Sequence, residues 1–121
     1  EPLFKCFTQV CIAVHYMHTQ APPIAHRDIK VENILLDDEQ RYRLCDFGSA
    51  TTVVYEPKKA RDIEAATDEI NAHTTLAYRA PEMCDLYRRQ MVCEKVDIWA
   101  LGCLLFRLAY GENPFDGGEL Q

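Results

Sequence analysis

Three oxygen-bearing side chains and one lysine lie close together in the sequence and could act on a phosphorylated compound. Asp28, Lys30 and Asn33 fall in a polar loop, and Asp46 follows shortly after it. Mg²⁺ prefers oxygen ligands, usually one or two carboxylates or amides together with substrate phosphates. Lys30 comes two positions after Asp28, so an extended loop would point both side chains at one reacting group. These residue types therefore predict magnesium-dependent chemistry on a phosphate.

The segment between the polar loop and Asp46 predicts a β-hairpin. The short apolar runs Ile34–Leu36 and Tyr42–Cys45 are separated by a polar connection over Asp37–Arg41. Two such runs with a short polar link are typical of a hairpin. A hairpin folds the chain back on itself, so the three oxygen-bearing side chains at its two ends can meet at one point.

Helical patterns flank this region. Residues 2–20 place apolar side chains at helical spacing, and Ala21-Pro22-Pro23 then ends the pattern because proline cannot donate to a helix. Residues 97–110 predict a buried helix, with Asp97 as its N-cap and Gly111 just past its end. The apolar face of the first helix consists of Leu3, Phe7, Val10, Val14 and Met17.

The stretch 46–79 shows little periodicity and is rich in threonine, alanine and charged residues. A loop this long inside a compact domain is usually functional or disordered. The pattern predicts a short helix over Glu64–Asn71 and a second, weakly indicated helix within 82–95.

The composition excludes several classes of protein. Of the 121 residues, 48% are hydrophobic and 26% are charged, which are values of a globular protein. The net charge of −6 argues against binding to nucleic acid or to anionic membranes through charge. No apolar run is long enough to span a bilayer, so we expect no transmembrane segment. The chain starts without Met and inside a helical pattern, so we expect an internal piece of a larger domain.

The six cysteines show no C-x-x-C spacing, which argues against zinc and thioredoxin-type sites. No secretory signal precedes them, so we expect reduced thiols in an intracellular protein. For all but Cys45 the sequence favours burial as small apolar side chains.

Four motifs occur in a fixed order: HRDIKVEN at 26–33, DFG at 46–48, APE at 80–82, and DIWALG at 97–102. This order resembles the eukaryotic protein kinases. The resemblance implies an α+β, protein kinase-like fold, of which this chain is the central part of the mainly helical C-terminal lobe with its small hairpin. It also implies that ATP and Mg²⁺ are the cofactors.

The finer resemblance is to the Numb-associated kinases, which include the adaptor-associated, cyclin-G-associated and fungal actin-regulating kinases. It rests on the strings PPIAHRDIKVEN, LCDFGSATT, TTLAYRAPEMCDLY and EKVDIWALGCLL. The resemblance implies protein substrates with serine or threonine acceptors, among them clathrin-adaptor or actin-patch proteins. It implies a cytoplasmic protein, peripheral at endocytic membranes. This group has an extra helix after the activation segment, and Met83–Arg89 is the candidate for it.

The resemblance also assigns roles to individual residues. Asp28 would be the catalytic aspartate, Lys30 would stabilise the transferring phosphoryl group, and Thr75 would bond to both of them. Asn33 and Asp46 would hold the magnesium ions. Lys30 and Thr75 together favour serine/threonine over tyrosine specificity. Thr74 departs from the glycine that is common just before this threonine.

Other positions would line or support the nucleotide site. Cys45 directly precedes Asp46, so its sulfur would lie near the nucleotide, where a ligand could reach it. His26 and Phe47 would stack in an apolar column that Asp97 anchors from below. A second column beneath the adenine would contain Leu35, Leu104 and Leu108.

The resemblance implies that residues 1–121 are a partial protein kinase domain, with the catalytic loop, the activation segment and the buried helix that follows. The N-terminal lobe and the end of the C-terminal lobe would lie outside it. We expect the parent protein to be an ATP-dependent serine/threonine kinase and the isolated fragment to be inactive. The alternative is a pseudokinase or scaffold that binds partners without catalysis.

Arg27 precedes the catalytic aspartate, as in kinases that a phosphate on the activation segment switches on. The sequence offers two kinds of partner for it, and we favour the carboxylates over a phosphate. The carboxylates are Glu64, Asp68 and Glu69, and the hydroxyls that could carry a phosphate are Ser49, Thr51, Thr52, Thr67 and Thr74.

Overall fold

The computed structural model describes residues 2–115. It has an α+β architecture of four α-helices and one two-stranded antiparallel sheet within this range, as the sequence predicts. The elements are α1 (Pro2–His18), β1 (Ile34–Leu36), β2 (Tyr42–Leu44), α2 (Ala60–His73), α3 (Pro81–Cys84) and α4 (Val96–Tyr110). Short 3₁₀ turns cover Val31–Asn33, Leu76–Tyr78 and Leu86–Arg88. No helix in this range is both long and apolar enough to cross a membrane.

Helix α1 buries three of the five residues on its predicted apolar face, whereas Leu3 and Phe7 are half-buried. Val10, Val14 and Met17 are buried, together with Cys6, and the helix ends at His18. These side chains pack against α4 and the hairpin in one hydrophobic core. The predicted end at residue 20 is two residues too late.

The hairpin has the predicted position, with Ile34 opposite Leu44 and Leu36 opposite Tyr42. Asp37 closes its turn, since Oδ1 accepts the backbone N–H groups of Glu39 and Arg41, each at 2.9 Å. Its Oδ2 accepts from the Arg43 guanidinium at 3.0 Å. The backbone N–H of Arg41, followed by the Arg43 side chain, lowers the pKa of Asp37 to about 2.

Helix α4 begins at Val96, and Lys95 is its N-cap. The prediction that Asp97 is the N-cap is wrong, because Asp97 lies inside the first turn and is fully buried. Its carboxylate accepts backbone N–H groups of another segment and not those of its own helix. The C-terminal prediction is confirmed, because Gly111 follows the helix at φ 80°, in the left-handed region that favours glycine.

The helices predicted between the hairpin and α4 need three corrections. Helix α2 is longer than Glu64–Asn71 at both ends. The helix predicted within 82–95 is only the single turn α3, which begins one residue earlier at Pro81, and the extra helix at Met83–Arg89 is wrong. Asp85 interrupts this segment with a φ of −143° and accepts the N–H of Tyr87 at 3.1 Å, so α3 and a 3₁₀ turn form in its place. The long helix of this region lies before Ala80-Pro81-Glu82, as α2.

Helix α2 forms a second core with the segment after it. The buried members from α2 are Ile63, Ala66 and Ile70. They pack against Ala80, Met83, Leu86, Val92 and Val96. The described part of the chain thus has two cores, and the polar loop 26–33 lies against the first of them through the buried Ile29.

All six cysteines are free, and Cys6 and Cys103 are buried as expected. Cys11 and Cys93 are half-buried. Cys84 is exposed, so the prediction of burial is wrong there. It is the last residue of α3, whose buried side chain is Met83.

Candidate active site

One threonine hydroxyl connects two parts of the site that are far apart in the sequence, the polar loop 26–33 and the segment after α2. Thr75 Oγ1 donates to Asp28 Oδ1 at 2.8 Å and accepts from Lys30 Nζ at 2.9 Å. Lys30 Nζ also lies 3.6 Å from Asp28 Oδ2. The contacts predicted between Thr75 and both residues are therefore present, and they fix the carboxylate and the ammonium side by side.

Asn33 holds the polar loop in place through contacts with Asp28. Its Nδ2 donates to the backbone carbonyl of Asp28 at 2.7 Å, with a longer contact of 3.4 Å to Asp28 Oδ2. A carbonyl oxygen can only accept, so the amide nitrogen must face Asp28. This orientation leaves the amide oxygen of Asn33 for another ligand.

Asp46 reaches the site through the hairpin. The backbone N–H of Cys45 donates to the carbonyl of Asn33 at 2.7 Å, which places Asp46 next to the polar loop. Asp46 has a φ of 60°, a left-handed conformation that aspartate tolerates better than most residues. Its Oδ1 accepts from the Gly48 N–H at 3.2 Å, and the residue is exposed. Its second carboxylate oxygen is thus available to a ligand.

His26 ties the polar loop to the end of the hairpin. Its Nδ1 accepts the N–H of Asp28 at 3.1 Å, and its Nε2 lies 3.0 Å from the carbonyl oxygen of Cys45. An N–H can only donate and a carbonyl can only accept, so these partners select the tautomer with its proton on Nε2. The imidazole also contacts Phe47, with ring centroids 5.2 Å apart, so the two rings meet as predicted, but edge-to-face rather than stacked.

Asp97 supports this loop from α4. Its carboxylate accepts the N–H of His26 at 2.8 Å and the N–H of Arg27 at 2.9 Å. Arg27 has a φ of 74°, and a left-handed residue of this kind lets successive N–H groups converge on one anion. His18 Nε2 contacts the same carboxylate at 2.8 Å. The predicted anchoring role of Asp97 is confirmed.

The Arg27 guanidinium points into the second half of the chain. Its Nε donates to the Ser49 carbonyl at 2.5 Å, and Nη2 lies 3.5 Å from Glu69 Oε1 on α2. The side chain is only 5% exposed, and Nη1 is buried without a hydrogen-bond partner in the described part of the chain. Glu69 also lies 3.3 Å from His73 Nε2. Of the three candidate carboxylates, Glu69 is therefore the one that contacts Arg27.

The predicted nucleotide-lining residues have different environments. Cys45 is half-buried, and its Sγ contacts the Arg43 carbonyl at 3.6 Å. Leu104 is fully buried, and Leu108 packs against the first core. Leu35 is 58% exposed, so core packing is confirmed for the two α4 leucines but not for Leu35.

Comparison with known proteins identifies the family. The family described as "Protein kinase domain" matches residues 2–121. The chain belongs to this family. A probable serine/threonine-protein kinase of Dictyostelium discoideum is 57% identical over 120 residues, and a second one from the same organism is 52% identical over 122 residues. Actin-regulating kinase 1 of Saccharomyces cerevisiae is 41% identical over 119 residues.

These comparisons confirm the resemblance to serine/threonine kinases of the Numb-associated type. They cover 98–99% of this chain. The chain spans only 15%, 11% and 19% of the length of these three relatives, in the order named above.

The donor set of this kinase chain fits a magnesium ion. Across residues 2–115 there is no group of three or more His, Cys, Asp or Glu side chains that could hold a metal. Asn33 and Asp46 offer one amide oxygen and one carboxylate oxygen. Mg²⁺ usually takes one or two such protein ligands and completes its shell with water and substrate phosphates. The two side chains therefore suit a cation that binds together with a nucleotide.

Sequence reasoning missed one pair of contacts beside the site. Arg79 Nε donates to Thr74 Oγ1 at 2.8 Å, and Arg79 Nη2 donates to the Thr74 carbonyl at 3.2 Å. The only signal for it was the threonine at position 74, where glycine is common. The sequence also did not indicate that His18 contacts Asp97, which lies 79 positions later.

Proposed function

We propose that the chain is the catalytic part of a serine/threonine protein kinase, which transfers the γ-phosphoryl group of ATP to a protein hydroxyl. The observation that carries the proposal is the Thr75 hydroxyl, which bonds to Asp28 and to Lys30 at once. This contact spans 47 positions of sequence and fixes a carboxylate beside a cation. Phosphoryl transfer needs this kind of fixed electrostatic arrangement more than covalent chemistry from the protein.

The two oxygens of Asp28 differ in what they can still accept. Oδ1 is engaged by Thr75 at 2.8 Å, whereas the contacts of Oδ2 with Asn33 and Lys30 are 3.4 and 3.6 Å long. Oδ2 therefore retains capacity for a strong bond. We assign it to the acceptor hydroxyl, which it orients and whose proton it takes. Lys30 would then stabilise charge on the phosphoryl oxygens.

Asn33 and Asp46 would hold Mg²⁺, which supplies positive charge to the nucleotide phosphates when bound. The Asn33 amide is oriented by Asp28, and Asp46 is placed by the hydrogen bond between Cys45 and Asn33. Cys45 and Leu35 would lie at the nucleotide. The half-buried sulfur and the exposed leucine leave both side chains accessible to it.

The acceptor is serine or threonine. Thr75 lies against Asp28 and Lys30, so the floor of the site is close to the reacting atoms. A short side chain must approach this floor deeply, whereas a tyrosine hydroxyl stands several ångströms further from its backbone. The segment 74–79 is half-buried except for the buried Tyr78, and it offers no exposed platform that would hold a peptide further out.

The cellular substrates are a finer proposal. One relative bears the name Actin-regulating kinase 1, and the motif strings resemble a group that acts on endocytic adaptors. We infer that the whole protein phosphorylates clathrin-adaptor or actin-patch proteins, in the cytoplasm and peripherally at endocytic membranes. Residues 1–121 would be one part of its kinase domain.

The test uses the full-length protein that contains this chain, with ATP, Mg²⁺ and an array of serine, threonine and tyrosine peptides. We expect phosphoserine and phosphothreonine products, and their loss in Asp28→Asn. The exposed Asp38→Asn is the matched control and should retain activity.

Predominant phosphotyrosine would overturn the acceptor assignment. Absence of transfer, with partner binding intact, would favour the scaffold. Products without any adaptor or actin-patch sequence would overturn only the substrate class.

A further inference from the structure

Arg79 holds Thr74 by two separate hydrogen bonds. Its Nε donates to the Thr74 hydroxyl at 2.8 Å, and its Nη2 donates to the Thr74 carbonyl at 3.2 Å. The 3₁₀ turn Leu76–Tyr78 brings the arginine back to this position, with Tyr78 N–H bonded to Thr75 O at 2.9 Å. The planar guanidinium suits such a two-point contact, which a lysine ammonium cannot reproduce.

Thr74 also connects this clamp to helix α2. Its hydroxyl donates to the carbonyl of Ile70, in the last turn of α2, at 2.7 Å. Thr74 has a φ of −131° and a ψ of 161°, an extended conformation that does not require the glycine common here. Thr75 is extended as well, so the two side chains project to opposite sides. Thr74 thus faces Arg79 and α2, while Thr75 faces Asp28 and Lys30.

The environment of Arg79 shows that it is not an ordinary surface arginine. Its side chain is half-buried, and burial lowers its pKa. No carboxylate within residues 2–115 lies within 4.0 Å of it. A half-buried cation that is bonded only to neutral oxygens is unfavourable unless those bonds are well made. Within residues 2–115, both hydrogen bonds of the Arg79 guanidinium go to Thr74.

We propose that Arg79 is a positioning residue, which holds Thr74 so that the neighbouring Thr75 hydroxyl stays between Asp28 and Lys30. The inference rests on the proposed kinase function, because it concerns the geometry of that same site. Arg79 itself touches no reacting group. It acts through the backbone of two adjacent threonines, and a shift of about 1 Å at such a point can lower a rate up to about 10²-fold.

The experiment measures kcat and KM for ATP in the full-length protein. We expect Arg79→Lys and Thr74→Val each to lower kcat about tenfold, inside that range, with KM for ATP unchanged. The double variant should be no worse than the poorer single variant, because both changes break the same clamp. The exposed Arg88→Lys serves as the matched control and should retain full activity.

A purely structural role is separated from positioning in a Thr75→Val background. Without the Thr75 hydroxyl there is nothing to position, so Arg79→Lys should no longer change kcat, even where it still lowers the thermal midpoint. An undiminished effect in that background, or unchanged kcat in both single variants, would overturn the inference. If Arg79→Lys does not fold, the same comparison is made with Thr74→Val, whose effect on kcat is measured in the wild-type and in the Thr75→Val background. A wild-type protein without transfer activity would overturn the proposed function first, and this inference with it.

Discussion

The carboxylate of Asp97 fixes the backbone of Arg27, although 70 positions separate the two residues. Oδ1 accepts the Arg27 N–H at 2.9 Å, at a residue whose φ of 74° is unfavourable for a long side chain. A conformation of this kind costs on the order of 1–3 kcal/mol and persists only where its surroundings enforce it. The fully buried Asp97 holds this conformation from α4, so the polar loop 26–33 depends on a helix far along the chain.

Asp97→Asn should therefore destabilise the protein. An amide cannot accept with both ends, so one of the N–H groups of His26 or Arg27 would face another donor. An unsatisfied buried group costs about 1–3 kcal/mol. Chemical denaturation of the full-length protein measures this loss, and the exposed Asp38→Asn should show almost none. Equal stability of the two variants would contradict the role assigned to Asp97.

Thr75→Val should lower kcat by about 10- to 100-fold and leave KM for ATP unchanged. Valine keeps the shape of threonine but removes the hydroxyl that bonds to Asp28 and Lys30. Thr75→Ser keeps that hydroxyl and should retain most of the activity. Steady-state kinetics of both variants test this. A serine variant as slow as the valine variant would show that the Thr75 hydroxyl does not determine kcat.

Asp28→Asn and Asp46→Asn should fail in different ways. In the proposed function Asp46 holds a cation against phosphate, so its loss should abolish magnesium-dependent ATP binding as well as turnover. In the proposed function Asp28 acts on the acceptor, so its loss should leave ATP binding nearly intact and lower turnover by about 10²-fold or more. Calorimetric titration of ATP with and without Mg²⁺ distinguishes them. The same loss of ATP affinity in both variants would disprove this division of roles.

Glu69→Gln should lower the activity several-fold, whereas phosphatase treatment of the wild-type protein should leave it unchanged. Glu69 contacts the buried Arg27 guanidinium at 3.5 Å, so a carboxylate already supplies this arginine with a negatively charged partner. The Glu69 side chain is 45% exposed, so its contribution to global stability should be small. Glu64→Gln, on the exposed side of the same helix, is the control. Activity that disappears with phosphatase would show that Arg27 requires a phosphate.

Asp37→Asn should lower the thermal midpoint at pH 7, and this deficit should shrink on acidification. The hairpin lowers the folded-state pKa of Asp37 to about 2, chiefly through the backbone N–H of Arg41. A lowered pKa stabilises the fold above the unfolded value of about 3.9, and that stabilisation is lost as the pH falls toward 2. Thermal scans of both proteins between pH 5 and the acid limit of folding test this. A deficit that does not change with pH would mean that the charge is irrelevant.

The sequence predicted the elements whose signals are local. The apolar face of α1, the hairpin and the C-terminus of α4 at Gly111 follow from spacing and turn chemistry alone. The full length of α2 did not follow, because only three of its side chains, Ile63, Ala66 and Ile70, are buried and its charged surface weakens the periodicity. The break at Asp85 was missed for a different reason. The Asp85 side chain stabilises a 3₁₀ turn that competes with the helix.

The site shows the same division. The motifs predicted which side chains would meet, and the contacts among Asp28, Lys30 and Thr75 confirm their proximity. Asp97 could not be placed by local reasoning, because an aspartate at the start of a helical pattern is usually an N-cap. Asp97 bonds to His26 and Arg27, which lie 71 and 70 positions earlier. Its burial and these bonds arise only when α4 packs behind the polar loop.

The hairpin register decides where this chain can change its length. Asp46 lies next to the polar loop because Leu44 pairs with Ile34 and Cys45 bonds to Asn33. Extra residues at the tip, within 37–41, leave that pairing intact, since doubling a loop costs only about 0.6 kcal/mol. One extra residue between Leu44 and Asp46 would turn the carboxylate to the opposite face. Insertions and deletions should therefore be tolerated at the tip of the hairpin and excluded from its base.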